Sequence, residues 1–283
     1  MGIELDHPVS GDAVFTDAPL ERFIGTPRQF KPLRRRPLKA WQHMKKLIAD
    51  KEATDEVFHI IRALNGDSFE RSYQTFLAHP NSRTLMAEAQ VLPPVLDDHE
   101  RWLELPEGSF GREYVEFMRR EGLTAAGLVE ESLKSPESRE WRTRIDPLRL
   151  WYADRSRDTH DMFHILTGLG RDALGEACVL SFTYPQHGRG LGLRFIAFVG
   201  AREVGTRFRK ATGARLPWRR ALRECRRMGE QAVHLEATDL VALFPLPLAE
   251  VRERLGIGSP DAYRACHRIM AEHGIDPYGV MSN

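Results

Sequence analysis

The chain has 283 residues, of which 29% are charged and 42% are hydrophobic, and its formal net charge is +1. This length suffices for one large domain or two small ones, and the near balance of charge argues against a nucleic-acid partner. Cys178, Cys225 and Cys266 lie far apart, so we expect reduced thiols and no disulfide. No signal-peptide pattern and no run of about 18 apolar residues is present, so we expect a soluble or membrane-surface protein.

The first part of the chain is irregular and basic. Residues 1–37 are rich in glycine, proline and charge and have no hydrophobic period, which predicts an extended N-terminal arm. In the basic segment 31–49, apolar residues such as Trp41 and Met44 recur at helical spacing. This pattern is typical of an ordinary first helix with a solvated basic face, and also of a helix that lies on anionic lipid headgroups.

From Thr54 onward the apolar residues recur at helical spacing almost without interruption. The predicted helices are 54–64, 68–78, 82–90, 93–105, 110–120, 124–134, 141–155, 177–184, 191–208, 218–244, 246–255 and a last one that ends at Gly274. No stretch of strict alternation indicates a strand. The sequence therefore predicts an all-α fold, a single helical domain of roughly ten or more helices at 38–257. The N-terminal arm precedes it and a helical extension, 258–283, follows.

Two histidines and an aspartate share one predicted helix face. At 3.6 residues per turn, His164 lies about 40° around the helix from His160, and Asp161 lies about 100° around it. A lone His-x-x-x-His pair is more often a pair of ordinary surface or core histidines than a metal site, because short motifs match by chance. The acidic neighbour Asp161 makes the chance explanation weaker here.

A second carboxylate follows after a predicted chain reversal. Gly168 and Gly170 are expected to end the histidine helix, and Asp172 can cap a new helix whose first turn carries Glu176. If the second helix folds back along the first, Glu176 meets both imidazoles. Nitrogen and oxygen donors in this ratio suit a divalent metal such as zinc, manganese, iron or cobalt, and do not choose among them.

These residues carry a resemblance to a known family. His160-Asp161-x-x-His164, followed after eleven residues by Glu176, resembles the signature of the coenzyme Q biosynthesis protein 4 family. Further blocks similar to family blocks stand in the same order at residues 105–114, 155–159, 166–168, 216–218 and 248–257. The chain departs from the family after Glu176: where members usually carry Lys and then Trp-Phe-Glu, it has Leu180, Ser181-Phe182 and Thr183, so two charges near the site are absent.

The resemblance implies an all-helical enzyme of ubiquinone biosynthesis. It implies a metal-dependent carbon–carbon lyase, a decarboxylase that replaces the carboxyl group at ring carbon 1 of a polyprenyl-hydroxybenzoate with hydroxyl. In this interpretation His160, His164 and Glu176 hold the metal, Asp161 is a fourth ligand or the proton donor, and Arg157 orients the carboxylate of the substrate.

The same resemblance implies partners and a location. We expect a polyprenylated aromatic lipid in an apolar channel, a membrane surface, other ubiquinone biosynthesis enzymes, and a homodimer or larger assembly, without nucleic acid. The expected location is cytoplasmic, peripheral on the inner face of the cell membrane, or a mitochondrial inner-membrane equivalent. His187, in the loop after the Glu176 helix, is a candidate contact to the ligands or the substrate.

Three alternatives stay open at this stage. The first is a non-catalytic organiser that binds the lipid intermediate and partner enzymes at the membrane. The second is a zinc hydrolase in which Asp161 is the general base and Glu176 the third ligand, which would need an open, peptide-sized cleft. The third is the helical histidine-aspartate phosphohydrolase fold, although the sequence offers no separated set of additional ligands for it.

Overall fold

The computed structural model describes residues 33–50 and 53–280. Over these ranges the chain is helical, without β-strands apart from an isolated bridge between Ser109 and Pro247. The first helices are α1 (Pro37–Ala49), α2 (Thr54–Leu64), α3 (Ser68–Ala78), α4 (Ser82–Glu88), α5 (Leu92–Leu96), α6 (His99–Leu103), α7 (Phe110–Glu121) and α8 (Ala125–Leu133). The others are α9 (Pro136–Arg144), α10 (Pro147–Asp158), α11 (His160–Thr167), α12 (Ala173–Gln186), α13 (Leu191–Thr212), α14 (Trp218–Gln231), α15 (Leu248–Leu255) and α16 (Asp261–Glu272).

The all-α prediction is confirmed for the described residues. Most of the predicted arm, residues 1–32, lies outside them. The three cysteines are buried and free, as expected from the sequence.

Three of the predicted helices are divided into shorter elements in the structure. The predicted helix 93–105 breaks at Asp97, whose carboxylate accepts hydrogen bonds from the backbone of α8 at 2.7 and 2.9 Å. The predicted helix 141–155 is divided between α9 and α10, because Asp146 caps α10 and Pro147 occupies its first position. The predicted helix 218–244 ends at Gln231, and only short 3₁₀ turns at Leu235–Ala237 and Val241–Leu243 follow.

The break after α14 has a tertiary cause. The side-chain amide of Gln186, at the end of α12, accepts a hydrogen bond from the backbone N–H of Leu235 at 3.0 Å and donates one to the carbonyl of Gly229 at 2.7 Å. These bonds fix the chain leaving α14 in a non-helical path, which apolar spacing alone does not reveal.

The core is organised around α12. This helix packs against α13 and α14, and its residues Cys178 and Phe182 are fully buried. A Cβ on Gly229 would lie 2.1 Å from the carbonyl oxygen of Phe182, so α14 approaches α12 at a distance that only glycine permits. Glu176 lies in the first turn of this helix, so the packing of α12 against α13 and α14 fixes the position of its backbone.

Candidate metal centre

A tight reversal joins α11 to α12. Gly168 ends α11 with a φ of 69°, a left-handed conformation that glycine adopts without strain. Asp172 caps α12, and its Oδ1 accepts hydrogen bonds from the N–H groups of Leu174 and Gly175, each at 3.1 Å. A Cβ on Gly175 would lie 2.0 Å from the carbonyl oxygen of Gly170, so the turn requires glycine there. The reversal sets the start of α12 beside α11.

This arrangement brings Glu176 to both histidines. Its Oε2 lies 3.8 Å from Nε2 of His160 and 3.5 Å from Nε2 of His164. One potential ligand atom from each of His160, Asp161 and His164 lies within 4.8 Å of the others. Two ligands bound at about 2.1 Å to one tetrahedral zinc ion stand roughly 3.4 Å apart. The spacing of the carboxylate and the two imidazoles therefore fits a shared ion.

His164 is oriented as a metal ligand would be. Its side chain is completely buried, and its Nδ1 lies 3.1 Å from the carbonyl oxygen of Leu169. Because a carbonyl only accepts, Nδ1 carries the proton and Nε2 presents a lone pair. Nε2 is itself buried and has no hydrogen-bond partner in the described part of the chain. The donor set and this orphaned nitrogen fit a divalent metal.

Charge couples the carboxylate to the imidazoles. Burial works to lower the pKa of His164, but the negative charge of the nearby Glu176 raises it above its usual value. Burial likewise works to raise the pKa of Glu176, but His164 and His160 hold the pKa of this carboxyl well below its usual value. Each group therefore favours the charged form of the other, and a bound cation would take the place of a proton on the imidazole.

Asp161 and Arg157 also border the cavity beside this cluster. Asp161 is 7% exposed. Arg157 belongs to the preceding helix, α10, and its guanidinium already donates to Asp158 at 2.7 Å, to Asp154 at 2.9 Å and to Ser132 at 3.2 Å. The role predicted for Arg157 in binding a substrate carboxylate stays a prediction.

A second arginine, Arg171, which no motif in the sequence indicates, stands beside the centre. Arg171 lies in the reversal between α11 and α12. Its Nε is 3.4 Å from Oε1 of Glu176, whereas the imidazoles lie closest to the other carboxylate oxygen, Oε2. Its side chain is 27% exposed and borders the cavity. Only its position five residues before Glu176, inside the turn between the two helices, is a signal in the sequence.

A cavity of about 830 Å³ extends from this cluster along α12. The α12 residues that border it lie along one face of the helix from Glu176 onward, and His187, just past the helix end, borders it as well. Because 11 residues of helix span roughly 16 Å, this wall is about that long. Apolar side chains from other helices complete the wall, among them Leu47, Ile48, Val57, Phe58, Ile61, Leu193 and Ile196. The cluster of His160, Asp161, His164 and Glu176 thus lies beside this largely apolar cavity, at the Glu176 end of its α12 wall.

The two positions at which this chain lacks a charge of the family pattern fall on this wall. Leu180 and Thr183, which stand where the family usually has charged residues, border the cavity between the two ends. At the far end, Nδ1 of His187 lies 3.0 Å from a carboxylate oxygen of Glu236 and 3.0 Å from Oγ of Ser72. His187 therefore contacts neither the cluster nor Glu176, and it is not a second-sphere partner of the metal ligands.

The last helix holds the reversal in place. The hydroxyl of Tyr263 donates to the carboxylate of Asp172 and accepts from the backbone N–H of Gly170 at 3.0 Å, while Nε2 of His267 lies 3.2 Å from the same carboxylate. Burial works to raise the pKa of Asp172, but His267 and Tyr263 lower it below its usual value. The residues beyond α15 therefore support the turn that positions Glu176.

No helix within the described ranges is both long and apolar enough to span a bilayer. The model of the family described as "Coenzyme Q (ubiquinone) biosynthesis protein Coq4" matches residues 32–261. The mitochondrial COQ4 homologs of Xenopus tropicalis and Rattus norvegicus are 31% and 29% identical over 43% and 58% of this chain, and over 39% and 56% of their own length. The mitochondrial coq-4 protein of Caenorhabditis elegans is 28% identical over 62% of this chain and 68% of its own.

The chain thus spans about half the length of the curated relatives it matches. A crystal structure from Nostoc punctiforme, named for ubiquinone biosynthesis, superposes with a TM-score of 0.57 at 20% identity, over 80% of this chain and 100% of that one, which shows a shared fold. Since the family model covers most of the sequence, this chain belongs to the coenzyme Q (ubiquinone) biosynthesis protein Coq4 family.

Proposed function

We propose that this protein is a carbon–carbon lyase of ubiquinone biosynthesis that decarboxylates a polyprenyl-hydroxybenzoate at ring carbon 1 with the aid of a divalent metal. One observation carries the proposal. Oε2 of Glu176 lies 3.5 and 3.8 Å from the Nε2 atoms of His164 and His160, at one end of an apolar cavity of about 830 Å³. Such a site joins a metal's donors to space for an apolar substrate.

In this proposal His160, His164 and Glu176 hold the metal. Zinc is the first candidate, and manganese, iron and cobalt are alternatives because nitrogen and oxygen donors suit all four. A bound cation would supply positive charge where negative charge develops on the ring as carbon dioxide leaves. The bond between Nδ1 of His164 and the carbonyl of Leu169 fixes the imidazole plane in advance.

Asp161 is the proposed fourth ligand or proton donor. Decarboxylation breaks the bond between ring carbon 1 and the carboxyl carbon, and the electron pair of that bond stays on the ring. As the proton donor, Asp161 would pass to ring carbon 1 the proton that takes the place of carbon dioxide. The hydroxylating form of the reaction would need dioxygen and a two-electron reductant: one oxygen atom bonds to ring carbon 1 in place of carbon dioxide, and the other, with the two added electrons and two protons, leaves as water. The burial of Asp161, 7% exposed, keeps bulk water from the exchange.

The elongated apolar cavity is the proposed place for the polyprenyl tail. The apolar side chains of its wall suit a lipid tail, and they offer little to the peptide substrate of the zinc-hydrolase alternative. A head group at Glu176 would direct the tail along α12 past Leu180 and Thr183 towards His187. Because Leu180 stands where the family carries a charge, this cavity accepts a more apolar substituent beside the ring.

A membrane surface is the proposed source of the substrate. Two exposed aromatic residues each pack on a half-buried one: the ring of Trp41 lies 6.2 Å from that of Phe195, and the ring of Phe198 lies 5.5 Å from that of Trp218. The neighbouring helix α14 presents exposed arginines, which are Arg219, Arg220, Arg223, Arg226 and Arg227. Aromatic and basic side chains together favour an anionic lipid surface.

The proposed location follows from this surface: peripheral on the inner face of the cell membrane, or at the equivalent mitochondrial membrane. A homodimer and contacts with other enzymes of the pathway are part of the same proposal. The second candidate function is a non-catalytic organiser that binds the lipid intermediate, and the missing charges at Leu180 and Thr183 favour it.

One experiment separates the two functions. The zinc-loaded full-length protein is mixed with a prenylated 4-hydroxybenzoate that carries an isotopic label in the carboxyl group, with and without an oxidant, and released carbon dioxide is counted. A decarboxylase releases label in proportion to bound metal, and His164→Ala abolishes both. Binding of the lipid without release of label, at every metal tried, contradicts the proposal and supports the organiser.

A further inference from the structure

An enzyme that acts on an aryl carboxylate needs a cation to bind it, and arginine presents paired donors that match a carboxylate. Within the described ranges, the arginines that border the cavity are Arg62, Arg142, Arg157 and Arg171. Arg62 donates to Ser138 at 3.3 Å and lies over the Trp141 ring at 5.8 Å, on a different part of the wall. It does not approach the ion cluster.

Two of the others are occupied by a buried charge network. Arg142 donates through both terminal nitrogens to the carboxylate of Asp154, with one of the bonds at 2.8 Å. Arg157 donates to the same carboxylate and to Asp158, and only 10% of its side chain is exposed. Freeing Arg157 for a ligand would take the guanidinium away from the buried carboxylate of Asp158, and Arg142 is held on Asp154 through both of its terminal nitrogens.

Arg171 is placed differently. Its Nε lies 3.4 Å from Oε1 of Glu176, and no ion pair or hydrogen bond to the rest of the described chain engages its two terminal nitrogens. Its backbone is held on both sides, because Tyr263 binds the N–H of Gly170 and the carboxylate of Asp172. The residue thus combines a fixed backbone with a partly exposed guanidinium directly beside the cluster.

We infer that Arg171 recognises the carboxylate of an aromatic acid at the metal centre. Its Nε fixes Oε1 of Glu176, so that Oε2 faces the imidazoles, and its terminal nitrogens bind the substrate carboxylate in a bidentate manner. The ligand class is a hydroxybenzoate with an apolar tail, and the inference rests on the proposed function for that identity. Arg171 replaces Arg157 in the substrate-binding role.

The test compares two ligands that differ by one group. Dissociation constants of the zinc-loaded full-length protein are measured for a prenylated 4-hydroxybenzoate and for the matching prenylated phenol, at saturating zinc. Wild-type protein binds the acid more tightly than the phenol. Arg171→Gln lowers this preference about tenfold, because charge-assisted hydrogen bonds are lost from a partly exposed site. Binding of the phenol and zinc content stay unchanged, and Arg171→Lys restores part of the preference.

Control variants make the outcome specific. Arg194→Gln removes an exposed arginine from α13, away from the cavity, and leaves the preference intact. The inference is overturned if wild-type protein shows no preference, if Arg171→Gln weakens both ligands equally, or if Arg157→Lys abolishes the preference while Arg171→Gln does not. Release of labelled carbon dioxide is measured separately. An Arg171-dependent preference without release retains this inference and removes the decarboxylase.

Discussion

Replacing Glu176 with glutamine exchanges one carboxylate oxygen for an amide nitrogen and removes the negative charge at the centre of the proposed site. The side-chain volume is nearly preserved. The carboxylate oxygen Oε2 of Glu176 lies 3.5 Å from Nε2 of His164 and 3.8 Å from Nε2 of His160. Loss of a partner outside the ligand shell already weakens metal binding 10- to 100-fold. Loss of a direct ligand is therefore expected to weaken zinc binding at least about 100-fold, or about 2.7 kcal/mol.

Competition of the protein with a chromogenic zinc chelator measures this change directly. A matched control is Glu203→Gln, because the side chain of Glu203 is 30% exposed against 34% for Glu176 and forms its own ion pair with Arg207. The control should bind zinc as the wild type does. Equal zinc affinity in Glu176→Gln and wild-type protein would refute the assignment of Glu176 as a ligand.

The same variant has a defined pH signature in chelator-treated protein. The pKa of His164 is raised, so its stabilising contribution is complete below the usual value of 6.5 and is lost as pH rises through the raised pKa. The pKa of Glu176 is lowered, so its contribution is complete above 4.5 and is lost as pH falls through the lowered pKa. Glu176→Gln should therefore lower the free energy of unfolding most near pH 5.5, by roughly 1 kcal/mol for a carboxylate about one-third exposed. Urea titrations near pH 5.5 and 8.5 measure the difference, and an equal loss at both values would contradict the pairing.

Further variants test the surroundings of the site. Arg157→Gln leaves the buried Asp158 without its main cation and should lower the free energy of unfolding by about 3 kcal/mol in urea titrations, whereas a loss below about 0.5 kcal/mol would mean the network is not structural. Gly175→Ala forces a Cβ against the Gly170 carbonyl, 2.0 Å away, and should cost about 1–3 kcal/mol in thermal unfolding; wild-type stability would show that the turn relaxes. Ile196→Trp fills the cavity and should reduce lipid co-purification, measured by mass spectrometry, without a change in zinc content; unchanged lipid content would show that the tail lies elsewhere.

Sequence periodicity was sufficient for the part of the site that is local in the chain. His160 and His164 share a face because of the helical period, and Gly168 and Asp172 mark the end of one helix and the cap of the next with residue types that have a direct backbone reason. The approach of Glu176 follows from these signals. The all-helical fold was equally accessible, since apolar spacing is repeated along nearly the whole chain.

The remaining features depend on tertiary contacts that spacing does not encode. α14 ends at Gln231 because Gln186, distant in sequence, binds the backbone of the following segment. Arg157 is engaged by Asp154 and Asp158, and its position three residues before His160 does not reveal the bond to Asp154 or the one to Ser132 on another helix. The position of Arg171 beside Glu176 could not be predicted, because a single arginine in a turn belongs to no periodic pattern.

The central claim, that two imidazoles and one carboxylate bind a single ion, is tested most directly by anomalous diffraction from crystals of the zinc-loaded protein. We expect one anomalous-difference peak for zinc, about 2.0–2.2 Å from Nε2 of His160, from Nε2 of His164 and from an oxygen of Glu176. A peak bound elsewhere, or zinc-loaded crystals with the cluster retaining its ion pairs and no peak between these atoms, would contradict it.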